Sequence, residues 1–578
     1  MMEQTAEPSH RHRIGWLAAV LLAVGVILLG RLASWQLVPR PEIRRWTLAG
    51  GNRPNVIPAA RGNILDRHGH YLASSTVEYE VAVSPRLLGP KQRERLLPEL
   101  ATILNQEPSR LQSLLAQQQS DYILLGTNLP PEVGKRFETM EQSSDAFSIQ
   151  VDFRRVYPDG SLAASLLGFV DYQGHGQYGL EKYYDRELSG TPGRWYGIRD
   201  PWGKQILVTL GGYQPARDGA DLILTIDRNI QYMAERILRE GLVRYRAQGG
   251  NVIVLDPRTG AVLAMANLPT YEPGRYGECA ERDGLEVFIN TSISALYEPG
   301  STFKPVTLAA GLEAHVITPQ STYDDRGEII VGNRRIWNSN QAAYGITNMT
   351  QMIAKSLNVG AAHVANLLGP TRFYEIVRRF GFFEATGVDL AFEERGLMRV
   401  PGDPYWHMSD LGANSYGQGI SVTPLQMAVA YATLANDGIM MRPYVVQEIW
   451  QNGELVQSRQ PFVVRRVVSA ETARQVTQIL VDAVEMGMEK AVLPGYRLAG
   501  KSGTSGIPTR DGYDSQDTIA SFVGYGPVED PRFVILVKFD RPREGKWGLE
   551  VAAPEFRRMA EMLVDYWAIP PSSQTAQR

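Results

Sequence analysis

The 578-residue chain is poor in cysteine, with Cys279 as its only one, so an internal disulfide is impossible. Histidine is scarce as well: eight residues, scattered, with the pair His68-x-His70 set among turn residues, so no metal site is expected. Neither sign of charge is in excess. A formal net charge of -3 gives no electrostatic reason to expect nucleic acid as a partner. After residue 40 no uncharged apolar run is long enough to span a bilayer. With 44% apolar and 21% charged residues the chain has a globular composition and room for two or three domains.

What is present begins at the N-terminus. Residues 1–13 are polar and end in His10-Arg11-His12-Arg13, after which Ile14 to Gly30 carries no charge. Such a run spans about 25 Å as a helix; Arg31 can snorkel and Trp35 can sit in the interface, which extends the reach across a bilayer core. Residues 14–38 therefore read as one anchor, uncleaved, because Arg31 follows the apolar run and no small-residue cleavage pattern accompanies it. The basic N-terminus should stay in the cytoplasm and everything after residue 40 outside it.

Residues 41–220 have the texture of an extended α/β module without a catalytic constellation. The stretch Arg61-Gly62-Asn63-Ile64-Leu65-Asp66-Arg67-His68-Gly69-His70-Tyr71-Leu72-Ala73 predicts strand, turn and strand, and Lys91 to Gln106 has helical spacing. Arg61 and Asp66 are expected to form a structural ion pair. A boundary is expected near Pro215 to Asp221. Beyond it the pattern predicts a strand from Leu222, a helix from Asn229 to Tyr245 and a hairpin formed by Val252–Leu255 and Ala261–Met265. A second hairpin is expected from Ala520–Tyr525 and Phe533–Phe539, then a closing helix from Pro554 to Trp567. Strands at both ends of a long helical middle suggest an antiparallel sheet against a helical subdomain.

The chain is organised around Tyr297-Glu298-Pro299-Gly300-Ser301-Thr302-Phe303-Lys304-Pro305. Pro299-Gly300 ends the preceding segment, Ser301 is placed to cap a helix, and Lys304 falls one turn later on the same face. This pairs a hydroxyl nucleophile with an amine base. No other lysine in the chain has a serine three residues before it. Two companions follow. Ser356-Leu357-Asn358 offers a hydroxyl to relay a proton and an amide to bind substrate. Lys501-Ser502-Gly503-Thr504 reads as a strand that presents Lys501 and Gly503 on one face and two hydroxyls on the other, suited to a terminal carboxylate, with Gly503 admitting a close backbone approach.

This order, Ser301-x-x-Lys304, Ser356-x-Asn358, Lys501-Ser502-Gly503-Thr504, resembles the serine penicillin-recognising enzymes. The single anchor, the Arg61-Gly62 and Gly179-Leu180-Glu181 segments, Tyr416-Gly417-Gln418-Gly419 and Ser521-Phe522-Val523-Gly524 make the likeness one to class B penicillin-binding proteins, from about residue 10 to 567. The resemblance implies an α+β protein: a penicillin-recognising transpeptidase fold, in which an antiparallel sheet flanked by helices meets an all-helical subdomain, behind an elongated α+β pedestal and one transmembrane helix. The implied layout is a cytoplasmic tail (1–13), an anchor (14–38), a dimerisation-type pedestal (41–220), a transpeptidase domain (221–567) and a short tail (568–578).

It further implies a peptidoglycan D,D-transpeptidase in the plasma membrane that cross-links stem peptides outside the cytoplasm during division or elongation. Ser301 would be the nucleophile, Lys304 its base, Ser356 a proton relay and Asn358 an orienting hydrogen bonder. Lys501, Ser502, Gly503 and Thr504 would bind substrate, and the N–H groups of Ser301 and Thr504 would form the oxyanion hole. No cofactor is implied; β-lactams would acylate Ser301, and a polytopic glycosyltransferase would be the partner. Two features depart from the family pattern: Ser502 stands where many members have threonine, and Asn290-Thr291 stands where Asn-Arg is usual. A hydrolase, with water replacing the acceptor amine, and a catalytically silent scaffold are the competing readings. The chemistry makes one demand. An ordinary lysine ionises near 10.4, so a base at neutral pH requires burial and a neighbouring cation that disfavour the charged amine by about 4 kcal/mol. Lys304 is therefore expected to be buried beside another cation.

Overall fold

The computed structural model describes residues 10–37, 55–117, 120, 122–144, 146–195, 198–199, 205–206, 213–509 and 512–572. Residues 1–9 of the expected tail, position 38 of the expected anchor, residues 41–54 of the expected pedestal and residues 573–578 lie outside the described residues. The chain divides into two units, residues 1–57 with 192–216, and residues 58–191 with 217–578. In the first, helix α1 (His10–Leu37) contains the 21-residue apolar stretch Ile14–Ser34, long enough to cross a membrane. The same unit holds a small antiparallel sheet, in which Gly193–Trp195 pairs with Asn55–Ile57 on one side and Tyr213–Gln214 on the other.

The second unit starts with the expected strand, turn and strand: β1 (Ile64–Leu65) pairs with β2 (Tyr71–Val83) around Asp66 and Gly69. Asp66 does not pair with Arg61. Its carboxylate instead closes the turn, accepting from the backbone N–H groups of His68 at 2.8 Å and His70 at 2.9 Å. Short polar side chains favour such local bonds in turns. Arg61 points the other way, donating from Nε to Glu181 Oε2 at 2.6 Å and from Nη1 to Asp185 Oδ1 at 2.8 Å. Arg155 donates to the second Glu181 oxygen at 2.7 Å. One fully buried carboxylate thus joins two buried guanidinium groups from distant parts of the chain.

Around β2 lie β3 (Ile123–Leu129) and β4 (Phe147–Val156), with helices α2 (Pro90–Leu104), α3 (Pro108–Leu115) and α4 (Pro131–Ser143) over a separate core that includes Val81, Leu100, Leu111, Phe137 and Phe147. The other edge of this sheet continues into β5 (Asp221–Leu224), which runs parallel to β1 and pairs antiparallel with Val446–Gln451. Residues from both sides of the expected boundary therefore share one sheet.

Helix α5 (Arg228–Tyr245) is capped by Asp227, whose carboxylate accepts from the N–H groups of Asn229 and Ile230. The central sheet is antiparallel throughout, in the order β7 (Val262–Leu268), β6 (Gly249–Leu255), β10 (Phe533–Asp540), β9 (Gly512–Gly526) and β8 (Ala499–Thr509). Phe522 packs on Phe556 of the closing helix at 4.6 Å, while Tyr525, three residues along, meets Tyr431 of the helix Pro424–Ala435 at 6.5 Å. An odd spacing on a strand means opposite faces, so helices cover the sheet on both sides. The closing helix runs Gly548–Tyr566 and starts six residues before the expected Pro554. Proline marks first turns more strongly than glycine does, which drew the expected start too late.

In the helical middle, Lys304–Glu313 is apolar on all sides and buries nine of its ten residues, as a core helix must. Two short antiparallel ribbons, Thr322–Asp325 with Gly345–Asn348 and Glu328–Val331 with Arg334–Trp337, accompany the helices of this subdomain. Replacing Glu181 by glutamine would leave buried Arg155 without a counter-charge and Arg61 with Asp185 alone. Such a break costs about 3–5 kcal/mol, so the unfolding temperature of Glu181→Gln should fall sharply; an unchanged melt would show that the network contributes little.

Candidate active site

Ser301 lies in the single 3-10 turn Gly300–Phe303, which runs directly into Lys304–Glu313. It is not the expected N-cap, and its side chain makes no capping bond. Pro299 already has a near-helical backbone, with φ -69° and ψ -18°, so the turn begins before the serine and leaves the hydroxyl free. That hydroxyl sits 3.0 Å from Lys304 Nζ.

The lysine amine is the hub. It lies 2.6 Å from the Ser356 carbonyl oxygen, 2.9 Å from Asn358 Oδ1 and 3.1 Å from Ser356 Oγ. Asn358 Nδ2 donates to the Trp337 carbonyl at 3.1 Å, which fixes the amide with its oxygen toward the amine. A neutral amine has two N–H donors and one lone pair. The two carbonyl-type oxygens can only accept, so they take the N–H groups, and the lone pair is left for the hydroxyls. Ser356 adopts φ +56°, a costly conformation for a residue with a Cβ, in the turn between Met349–Ala354 and Asn358–Arg379. Its carbonyl, turned inward there, is the amine's shortest contact.

Lys304 is fully buried. Burial first, and then the Lys501 charge, hold its amine well below the ordinary lysine range. Lys501 is likewise buried, and desolvation brings it down to about 7. The expected burial and neighbouring cation are both found.

Strand β8 carries the third motif with the expected alternation: Lys501 and Gly503 are buried, Ser502 and Thr504 partly exposed. The Lys501 amine curls back to the hydroxyl side, reaching the Ser502 carbonyl at 3.0 Å and Ser502 Oγ at 3.3 Å. Thr504 Oγ1 accepts from the N–H of Gly548 at 2.9 Å, so its own proton is free to donate. What approaches Gly503 is the protein itself rather than open space: a Cβ there would lie 2.7 Å from Thr302 Cγ2 and 2.9 Å from the Pro299 carbonyl oxygen. The glycine lets β8 press against the turn that carries Ser301. Gly300, at φ +55°, meets the Thr504 carbonyl in the same seam.

Asn290-Thr291, the departure from the family's usual Asn-Arg, forms part of a buried ladder of short polar side chains. Asn290 Oδ1 accepts from Asn267 Nδ2 at 3.1 Å, and Thr291 Oγ1 accepts from Asn251 Nδ2 at 2.7 Å. Three contributors escaped the sequence reading. The Trp337 carbonyl and the Gly548 N–H are backbone groups and leave no residue-type signal. Glu298 stood in the quoted motif without a role; it is buried, accepts from Gly419 N–H and Tyr513 Oη, and burial raises its carboxyl above the ordinary range.

Lys501 also links the site to folding. Folded, it ionises at about 7; unfolded, near 10.4. Between those values the unfolded chain holds a proton that the folded chain has released, so this lysine's destabilising effect is full below the window and relieved as pH rises through it. Relative to Lys501→Met, the wild-type unfolding temperature should climb from pH 7 to pH 10. A constant offset between the two proteins would contradict the depressed ionisation.

Residues 250–561 match the penicillin binding protein transpeptidase domain, and residues 56–224 the penicillin-binding protein dimerisation domain. Penicillin-binding protein PbpB of Mycolicibacterium smegmatis is 32% identical, over 97% of this chain and 91% of that protein. A peptidoglycan D,D-transpeptidase FtsI homolog of Mesostigma viride is 29% identical, over 95% of each. Among solved structures, penicillin binding protein 3 of Mycobacterium tuberculosis complexed with aztreonam aligns with a TM-score of 0.69 and 28% identity, over 90% of this chain and 98% of that one. With both family domains present and the lysine-centred cluster lying wholly inside the transpeptidase domain, the chain belongs to the class B penicillin-binding proteins.

Proposed function

We propose that this protein is a peptidoglycan D,D-transpeptidase that cross-links stem peptides through an acyl-enzyme on Ser301. The reading rests above all on the Lys304 amine, buried and shared among Ser301, Ser356 and Asn358. As Ser301 Oγ bonds to the carbonyl carbon of the penultimate D-alanine, its proton passes to the Lys304 lone pair. The developing oxyanion would be held by the N–H groups of Ser301 and Thr504. The C–N bond to the terminal D-alanine then breaks, and the proton returns from Lys304 through the Ser356 hydroxyl to the leaving amine. A stem-peptide amine attacks the resulting ester and regenerates the serine.

Lys501 and the hydroxyls of Ser502 and Thr504 hold the substrate carboxylate. Both hydroxyls have protons to give, Thr504 because it accepts from Gly548 and Ser502 because it lies against the lysine amine. Gly503 keeps that strand against the nucleophile turn. β-Lactams acylate the same serine. Residues 14–38 anchor the protein in the plasma membrane with the catalytic domain outside the cytoplasm, the pedestal runs from 41 to 220 and the transpeptidase domain from 221 to 567. A polytopic glycosyltransferase that polymerises the glycan strand is the partner proposed from the family.

The test is labelling of the full-length protein by a fluorescent penicillin, with peptide mapping. Ser301→Ala should abolish the label. Lys304→Met should slow labelling by about 10³-fold, the range of general-base catalysis. Lys501→Ala should weaken it by about 10- to 100-fold, as expected for one lost charge-assisted hydrogen bond. Labelling that persists in Ser301→Ala, or maps to another residue, would overturn the assignment.

A further inference from the structure

We propose that Glu298 is a positioning residue that latches the nucleophile turn to both walls of the cleft, through Tyr513 on one side and Gly419 on the other; the inference rests on the transpeptidase reading above. Glu298 stands three residues before Ser301, with only 6% of its surface exposed. Among the described residues no lysine or arginine forms an ion pair with it; Arg334 acts only at longer range. Its carboxylate is held by two neutral donors, the Gly419 N–H at 2.9 Å and the Tyr513 hydroxyl at 3.0 Å. A buried carboxylate is expensive unless its partners are fixed. Its presence three residues ahead of Ser301, held only by neutral donors, points to a job that an apolar side chain would not do.

The two donors come from different walls. Gly419 belongs to the segment that crosses the turn at Gly417, whose carbonyl accepts from Gly300 N–H at 3.1 Å; a Cβ on Gly417 would fall 2.2 Å from the Gly300 carbonyl oxygen. Tyr513 belongs to the far end of the β8–β9 hairpin, opposite Pro508, beyond the stretch that carries Lys501 to Thr504. Its ring lies back over Gly506, where a Cβ would meet Tyr513 Cδ1 at 3.0 Å. The hairpin end thus folds over the motif strand and is tied by its phenol to the loop bearing the nucleophile. Carboxylate binding uses β8 alone, whereas acylation needs β8 and Ser301 at a fixed separation. Loosening the latch should therefore slow acylation and spare the initial complex.

Stopped-flow acylation of the full-length protein by a fluorescent penicillin separates the two quantities. Since a 1 Å misplacement can cost about 10²-fold, Glu298→Ala and Tyr513→Phe should each lower the acylation rate constant by about tenfold or more, with the pre-acylation dissociation constant within about threefold of wild type. Glu298→Gln, which keeps a carbonyl oxygen for Gly419 and an amide for the phenol oxygen, should restore most of the rate. Wild-type rates in both Glu298→Ala and Tyr513→Phe would overturn the latch while leaving the transpeptidase reading intact. So would a Glu298→Ala protein that loses rate, affinity and melting temperature together while Tyr513→Phe behaves as wild type. A wild-type protein that is not acylated at all would remove the underlying reading as well.

Discussion

Everything at the candidate site depends on one buried amine. Water would hold Lys304 protonated; the core helix Lys304–Glu313, packed on all sides, removes that water and leaves oxygen atoms that either accept its N–H bonds or give it a proton. Desolvation and the like charge of Lys501 act in the same direction. The apolar packing of the helix is thus a chemical requirement as well as a structural one, because the packing that fills the core also weakens the amine's basicity enough for it to be neutral and free to accept a proton.

The surroundings hold that amine at the right distance from its partners. Close approach between β8 and the Ser301 turn is possible only with Gly503 and Gly300 at the seam, since a side chain at either would meet the opposing segment. Ser356 accepts a strained backbone to aim its carbonyl at the amine. Farther away, Glu181 joins Arg61 and Arg155. Together with the parallel pairing of β1 and β5, this ties the region ahead of the catalytic sheet into a continuous scaffold. Local strain at the site is set against ordered structure elsewhere.

Much of this was legible in the residues. Short apolar runs flanking turn signals placed β6, β7, β10 and the latter part of β9, and the helical spacing placed α2 and α5, because in each the pattern and the burial agree. The three motifs were readable together: Ser301 and Lys304 form the chain's single serine–lysine pairing at that spacing, and the Ser356 and Lys501 motifs follow it in order. Misreadings came where a local rule met a tertiary one. Ser301 lost its capping role because the turn begins at Pro299; Arg61 left Asp66 for a carboxylate 120 residues away; and the closing helix starts on a glycine bonded to Thr504 rather than on its proline. The Trp337 carbonyl, the Gly548 N–H and the fold-back of Tyr513 are products of the assembled fold, and no residue type announces them.

The central claim is that Lys304 is a neutral amine at physiological pH. The chain has only ten lysines, so a protein labelled with ¹³C at the lysine ε-carbon can be titrated by NMR, with the Lys304 resonance assigned by its loss in Lys304→Arg. The account predicts a resonance already in the neutral-amine position at pH 7, moving to the charged position only at lower pH. A Lys304 signal that stays charged until near pH 10, like that of an exposed lysine, would contradict it.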